Sequence, residues 1–536
     1  MVRYGVGPKA VCPDERFHAP GQQDRAAGVM VGMACGDALG AGYEFGGPYP
    51  DHMPIEMKGG GAFNWEPGEW TDDTSMAIPL LTLRDRMRSY CLDPVVDQWI
   101  DWARDAKDVG NQTRAVLGDA RRRGRASATG SGIVNEGPAA NAMAAAAAYQ
   151  KHFPDAAGNG SLMRTAPAGL AGFYGPVAVY AQEQSALTHP HQDAREACAL
   201  WSAAITHAVL TGDLDIRVGL YDMDFEVHAV SSGGVDDDAQ LAERIELWES
   251  RIAEAEANPP VHFSHNGWVV HALQAAWSSI VHSGDRADND PRHLQRALEL
   301  AVRSGGDTDT VAAIAGGLIG ASYGVSAVPL DWKRRIHGWP GWRSEELIEN
   351  AIDQARLVEY SEESAEGYSD AGDKLWPLVD RMNYAGWDRT DTCVQDPHDS
   401  GLYLGGVRAL DVLPRRVDAV VSLCRIGRKQ IPDQVWREDR VAVWLPDAGD
   451  PAGAAHLDYV LTQAADMVAT LRAEGRTVLL HCVQAYSRTP TVAALYAVRH
   501  LDVDPEQALA QVVHALPGAH PNPAFKAAYQ RITGGA

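Results

Sequence analysis

The hydrophobic pattern of this chain changes period once, and that change governs its architecture. From about Arg25 to Glu349 apolar residues recur at helical spacing in a sequence rich in Ala and Gly. In QDAREACALWSAAITHAVLTG, Ala197, Trp201, Ala204, Ile205 and Ala208 form one stripe, with Gly212 as the stop signal. Pro138 is placed to open the run PAANAMAAAAAYQ. Beyond a polar stretch at Glu359–Lys374 the apolar runs become short and β-branched: VDAVVSLC (Val417–Cys424), RVAVWL (Arg440–Leu445) and RTVLLHC (Arg476–Cys482). Helical segments at about Ala454–Arg472, Thr489–His500, Pro505–Ala515 and Ala524–Ile532 lie between or after them. Strands alternating with helices predict a parallel sheet. At 536 residues the chain exceeds what one core supports. The expectation is a multidomain protein. An all-α domain spans 22–352, with an acidic amphipathic surface insertion at about 213–260. A linker follows over 353–390, then an α/β domain over 391–536 with a mainly parallel sheet.

A formal net charge of −24 argues against general binding to nucleic acid or anionic membranes. No apolar run approaches the roughly 20 residues that span a bilayer, and MVRYGVGPKAVCPDERF lacks a signal-peptide core. The seven cysteines are scattered without metal-ligand spacing, as expected of reduced thiols in a cytoplasmic protein.

Two acidic clusters, WTDDTSM at Trp70–Met76 and GGDTDTVAA at Gly305–Ala313, each combine two carboxylates with a threonine and open into small-residue helical stretches. Crowded carboxylates repel, so each cluster calls for a cation or for raised pKa values. With Glu44 from GMACGDALGAGYEF, the residues Asp72, Asp73, Asp307 and Asp309 offer five carboxylates, and Thr71 and Thr310 add neutral oxygens. That charge balances two hard divalent cations better than one. Such a pair can hold sugar hydroxyls and acidify a water. The competing reading makes Asp72 and Asp307 helix N-caps. Asp37 reads as a supporting acid rather than a ligand.

In chain order, GMACGDALGAGYE, PGEWTDDTSM, DVGNQT, AGNGSLMRTAPAGL, LTHPHQDA and SGGDTDTVAAIAGGLIGASYG resemble the successive motifs of the ADP-ribosylglycohydrolases, a group that includes the dinitrogenase reductase-activating enzymes. The resemblance implies an all-α fold, two Mg²⁺ or Mn²⁺ ions, and hydrolysis of an ADP-ribosyl bond to a protein side chain or small acceptor. By motif it implies Glu44, Thr71, Asp72, Asp73, Asp307, Asp309 and Thr310 as metal-site residues, with Glu44 ahead of Asp73 as proton acceptor. It implies Asp108 facing the ribose and Gly158, Asn159, Gly160, Ser161 and Met163 as a diphosphate loop. His189 would lie beside the distal part of ADP-ribose; its bland alternative is a cap on the helix that follows. Trp268 could stack on the substrate or be a core residue.

HCVQAYSRT at His481–Thr489 follows a strand run and precedes a helical one, with five residues between Cys482 and Arg488. A strand–loop–helix junction aims loop amides and a helix N-terminus at one point, which is an anion site. Cys482 is the candidate nucleophile there, and Arg488 can grip phosphate bidentately. With LYLGGVRAL and VDAVVSLC, this segment resembles the dual-specificity phosphatases. That implies a cysteinyl-phosphate intermediate, Thr489 assisting its breakdown, and Asp447 as general acid with Asp450 as competitor. Ala485 departs from the glycine common at its position in that family.

The function expected is metal-dependent removal of ADP-ribose from a modified protein or related acceptor, joined to a cysteine-dependent phosphatase acting on a phosphorylated substrate. The alternatives are an ADP-ribose-binding or structural module without turnover, or a hydrolase of a small ADP-ribose-type metabolite.

Overall fold

The computed structural model describes residues 20–83, 92–128, 137–171, 177–220, 235–356, 380–388, 390–448 and 455–534. The polar stretch Glu359–Lys374 lies outside them.

The first half is helical apart from a two-residue antiparallel ribbon, β1 (His337–Gly338) with β2 (Trp342–Arg343). At its centre the helix Pro20–Gly40 packs along the helix Thr308–Tyr323. Glycines set their separation. A Cβ at Gly28 would stand 2.2 Å from the Gly320 carbonyl oxygen, at Gly32 2.4 Å from that of Gly316, and at Gly36 2.0 Å from that of Ala312. At Gly40 it would meet the Asp309 Cα at 2.4 Å. The partners descend as the first helix ascends, so the helices run antiparallel with backbones nearly touching. This zipper carries the end of the first helix, and Glu44 just past it, to the start of the second, where Asp307 and Asp309 stand. Around the pair, the helix Gln192–Thr211 buries Trp201, whose Nε1 donates to the Ile314 carbonyl at 3.0 Å. Gly212 ends that helix in the left-handed region at φ 88°. Pro138 does open a helix, Pro138–His152.

The acidic helix Val235–Ala257 turns one face inward: Trp248, Ile252 and Ala255 are fully buried in the first core. Arg244 and Arg251 pair with Asp193, and Trp248 Nε1 donates to Glu196 at 2.7 Å. The acids along its sequence therefore mask a packed helix.

The second half is an α/β layer of five strands in the order β3 (Cys393–Gln395), β4 (Leu402–Gly405), β7 (Val478–His481), β5 (Ala419–Ser422), β6 (Arg440–Ala442). Only β3 is antiparallel. β4, β5 and β7 are buried at every position, as a sheet covered on both faces requires. Helices occupy Leu457–Ala473, Arg488–Leu501, Pro505–Ala515 and Pro523–Gly534, close to the segments expected.

Each half has its own core, and the two exchange one side chain. Leu330 of the helical half lies in the second core, and Trp444 of the α/β half lies in the first. Around this exchange Arg334 pairs with Asp439 at 3.2 Å and Glu474 at 2.7 Å, Arg428 with Glu349, and Arg437 with Glu346.

Gly36→Ala tests the zipper. Alanine improves helix propensity by about 1 kcal/mol, but here its methyl meets backbone that cannot retreat, and overpacking costs ~1–3 kcal/mol. A lower melting temperature is expected, by a few degrees for each ~1 kcal/mol lost; an unchanged or higher one contradicts the close approach.

Candidate active sites

The helix Asp72–Leu81 begins at the first acid cluster, and its opening turn is capped from another helix. Asp37 accepts the Thr71 N–H at 2.8 Å and, through its other oxygen, the Thr74 N–H at 2.9 Å and the Thr74 hydroxyl at 2.7 Å. The cap is thus Asp37, which leaves Asp72 and Asp73 free of that duty. Asp307 occupies the N-cap position of Thr308–Tyr323 but makes no side-chain capping bond. The N-cap reading fails for Asp72, the first residue inside its helix, while Asp307 holds the N-cap position without a side-chain cap bond.

Carboxylate oxygens of Glu44, Asp307 and Asp309 lie within 4.8 Å of one another, as do those of Asp37, Asp73 and Asp309. Asp309 belongs to both groups, so the clusters distant in sequence form one centre. Thr71 Oγ1 donates to Asp73 Oδ2 at 2.9 Å, and the Thr310 N–H donates to Asp309 at 3.0 Å. Glu44 Oε2 and Asp73 Oδ1 are buried and have no hydrogen-bond partner among the described residues. Burial and mutual repulsion push the Glu44 carboxyl up to about 9, burial coming first and then Asp307, Asp108, Asp72 and Asp37. Burial and then Asp108 push Asp72 up to about 8. Burial, then Asp37 for Asp73 and Glu44 for Asp309, drives both well above the carboxylate range. Asp307 and Asp108 also rise, mainly through burial. Orphaned acceptors inside a ring of self-repelling acids fit divalent cations.

The expected glycine loop lies beside this centre. Asn159 Nδ2 donates to Asp307 Oδ2 at 2.7 Å and to the Asn266 carbonyl at 2.9 Å. Asn266, missed in the sequence, accepts the Asp307 N–H at 3.0 Å and donates to the Gly305 carbonyl at 2.9 Å. It ties the loop to the second acid cluster; its Asn-Gly step was the available signal. Leu162–Arg164 forms a 3₁₀ turn that buries Met163, and Ser161 Oγ accepts from Ser185 at 2.8 Å. His189 packs on the loop: a Cβ at Gly160 would meet its Cε1 at 2.9 Å. Burial, then Arg164, depresses the His189 imidazole to about 3, so it is neutral. The capping histidine of Gln192–Thr211 is instead His191, whose Nδ1 accepts the Asp193 N–H at 3.1 Å. Trp268 is 39 % exposed and bridges to Gly158, at the loop's edge rather than in the core.

A cleft of about 370 Å³ opens beside Asp72 and Asp108, walled by Trp65, Trp102 and Trp339 with Glu69, Asp101 and Asp105. Phe45, next to Glu44, is 67 % exposed at φ 61°, pinned by its N–H to the Gly306 carbonyl at 2.7 Å.

In the second half Cys482 sits at the carboxyl end of the central strand β7, before the helix Arg488–Leu501. His481 Nε2 lies 2.7 Å from Ser422 Oγ, and burial depresses its imidazole to about 4. Arg488 donates to the carbonyls of Leu423 at 2.8 Å and Leu445 at 3.2 Å, and its Nε stands 3.5 Å from Asp447 Oδ2. Asn522 Nδ2 donates to Asp447 Oδ1 at 2.9 Å. Thr489 Oγ1 and Arg488 Nε are buried without a hydrogen-bond partner among the described residues. Unused donors at a helix N-terminus suit an oxyanion. Ala485 adopts φ 56°, the left-handed conformation glycine would take without strain. Asp450 lies outside the described residues.

A model of the family described as ADP-ribosylglycohydrolase matches residues 18–366. The chain belongs to the ADP-ribosylglycohydrolase family. It is similar to the ADP-ribosylarginine hydrolase Tri1 of Pseudomonas putida, 28% identical over 63% of this chain and 80% of the relative. It is also similar to the ADP-ribosyl-[dinitrogen reductase] glycohydrolase of Rhodospirillum rubrum, 27% identical over 59% and 92%. Among solved structures, an ADP-ribosylglycohydrolase-related protein complex is 29% identical, covering 63% of this chain and 98% of that one at a TM-score of 0.44. Human DUSP28 is 24% identical, covering 27% and 93% at a TM-score of 0.23. Among the described residues of the chain, no helix is long and apolar enough to cross a membrane.

The raised carboxylates give the family member a pH signature. Between the ordinary carboxylate pKa values and the folded values of about 8 and 9, the folded chain holds protons the unfolded chain has released. Stability then falls as pH rises. In chelator the melting temperature should drop from about pH 5 to about pH 9, and saturating Mg²⁺ or Mn²⁺ should flatten that slope by binding the deprotonated acids. A chelated protein that gains stability across this range contradicts the assignment.

Proposed function

We propose that the helical domain is a metal-dependent hydrolase that removes ADP-ribose from modified arginine, and that the C-terminal domain is a cysteine-dependent phosphatase. The observation that carries the first half is the acid centre that joins Glu44, Asp73, Asp307 and Asp309, with orphaned oxygens on Glu44 and Asp73 and with Asp72 lining the cleft beside Asp108. Glu44, Thr71, Asp72, Asp73, Asp307, Asp309 and Thr310 would hold two Mg²⁺ or Mn²⁺ ions. The ions, when bound, supply the charge that holds sugar hydroxyls and acidifies a water. The chain's own groups do the rest. Asp108 faces the ribose, and the Gly158–Ser161 loop with Met163 receives the diphosphate, where backbone amides suit an anion. His189, neutral and packed on that loop, lies along the distal part. Glu44 takes the proton of the attacking water, being half-exposed where Asp73 is buried and already accepts from Thr71.

Arginine as acceptor is supported by the part of the cleft that Lys107 leaves open: Lys107 pairs with Glu69 at 2.6 Å and lies over Trp65, while Trp102, Trp339 and Asp105 also line the cleft, and tryptophan faces and carboxylates both attract a guanidinium. The similarity to the ADP-ribosylarginine hydrolase Tri1 points the same way. The division proposed is 22–352 for the glycohydrolase, 353–390 for the linker and 391–536 for the phosphatase, in a cytoplasmic protein.

Purified protein should release ADP-ribose from an ADP-ribosylated arginine peptide with Mg²⁺ or Mn²⁺, faster than from serine or thymidine conjugates. Asp72→Ala and Asp309→Ala should each cost more than about 100-fold, the several kcal/mol expected when cation charge is lost. Full release in excess chelator refutes the reading.

The phosphatase half is supported by Cys482, Arg488 and Thr489 around unused donors, with Asp447 at the rim. Cys482→Ser should abolish hydrolysis of an aryl phosphate, and Arg488→Lys should nearly do so, because an ammonium cannot form the planar fork. Relief of left-handed strain, ~1–2 kcal/mol, exceeds loss of one buried methyl, ~0.8 kcal/mol. Ala485→Gly should therefore leave thermal stability equal or slightly higher, with turnover unchanged or raised. Turnover that survives Cys482→Ser overturns this half alone.

A further inference from the structure

We propose that the helical domain positions the general acid of the phosphatase domain through Trp444, three residues before Asp447. This rests on the phosphatase reading above.

The segment leaves the end of β6 at Ala442 with one further ladder bond, Val443 donating its N–H to the Ser422 carbonyl at 2.9 Å. Side chains on such a strand alternate. Val443 and Leu445 point into the core of their own domain, while Trp444 between them is 7 % exposed and belongs to the core of the helical domain. The next turn presents the working groups. The Leu445 carbonyl accepts from Arg488, and Asp447 faces the same guanidinium while Asn522 holds its second oxygen. Trp444 therefore anchors, three residues upstream, the backbone that aims Asp447.

In the reaction, Cys482 Sγ as thiolate bonds to phosphorus while the bond from phosphorus to the leaving oxygen breaks. That oxygen takes the Asp447 proton. Water then displaces the thiolate from phosphorus, and its proton returns to Asp447. A misplaced Asp447 slows the first step only where the leaving oxygen needs the proton. Phenyl phosphate needs it; 2,4-dinitrophenyl phosphate leaves readily as an anion.

The test uses the full chain and both esters. Trp444→Ala is expected to lower kcat/KM, which reports the first step alone, roughly tenfold for phenyl phosphate, part of the ~10²–10⁴ that a general acid supplies, while kcat/KM for the dinitrophenyl ester changes less than about twofold. Asp447→Asn should give the same selective loss, and Trp444→Phe should restore the phenyl ester. Trp444→Leu, which keeps an apolar anchor, should give a smaller loss of the same selectivity, and it serves alone if Trp444→Ala does not fold. Equal losses on both esters, or none on either, overturn the proposal and leave the phosphatase reading standing. A wild type inactive on both esters overturns the phosphatase reading and the proposal with it.

Discussion

Everything at the first site depends on two helices that touch backbone to backbone. Gly28, Gly32, Gly36 and Gly40 meet Gly320, Gly316, Ala312 and Asp309 in steps of one helical turn. Larger side chains would separate the axes and draw Glu44 away from Asp307 and Asp309. The turn beyond the first helix is stitched to the second acid cluster, since the Phe45 N–H donates to the Gly306 carbonyl and the Gly306 N–H donates to the Gly46 carbonyl. Asp37, rising from the same helix, caps the helix that carries Asp72 and Asp73. One packed interface therefore sets the position of acids from three separate stretches of chain. The fold concentrates negative charge that burial makes unfavourable, and the carboxylates respond by holding protons.

The second site is built from the opposite kind of deficit. There the unused groups are donors, Arg488 Nε and Thr489 Oγ1, and the nearby acid Asp447 is shared between Arg488 and Asn522. Orphaned acceptors in one half and orphaned donors in the other are complementary to cations and to oxyanions respectively. A chain of net charge −24 thus keeps a pocket directed at oxyanions, built from one arginine and a helix terminus, with Asp447 at its rim.

Much of this was legible in the residues. The change of period placed the strands β5, β6 and β7 within a few residues, since buried parallel strands read as unbroken apolar runs. The three-residue edge strand β3 was not legible, because CVQ is too short for a pattern and its partners lie on β4 alone. The two acid clusters announced one centre by their composition, and the structure joins them through Asp309. What stayed hidden was relational. Asn266 acts through contacts with Gly305, Asp307 and Asn159, none near it in sequence. His189 and His191 look alike in LTHPHQDA, and only the geometry assigns the cap to the second. Trp444 reads as one more apolar residue of a strand, and nothing local reveals that it belongs to another core.

The exchange of Leu330 and Trp444 also bears on how this protein could be divided. The change of period invites a cut between the halves, yet the packing does not end where the pattern does. A first fragment released there would carry an open socket in its core, and a second would display a bare tryptophan beside Arg428 and Arg437, both stripped of counter-charges. Such surfaces favour self-association. Solubility in isolation is thus a property that neither half was shaped to have.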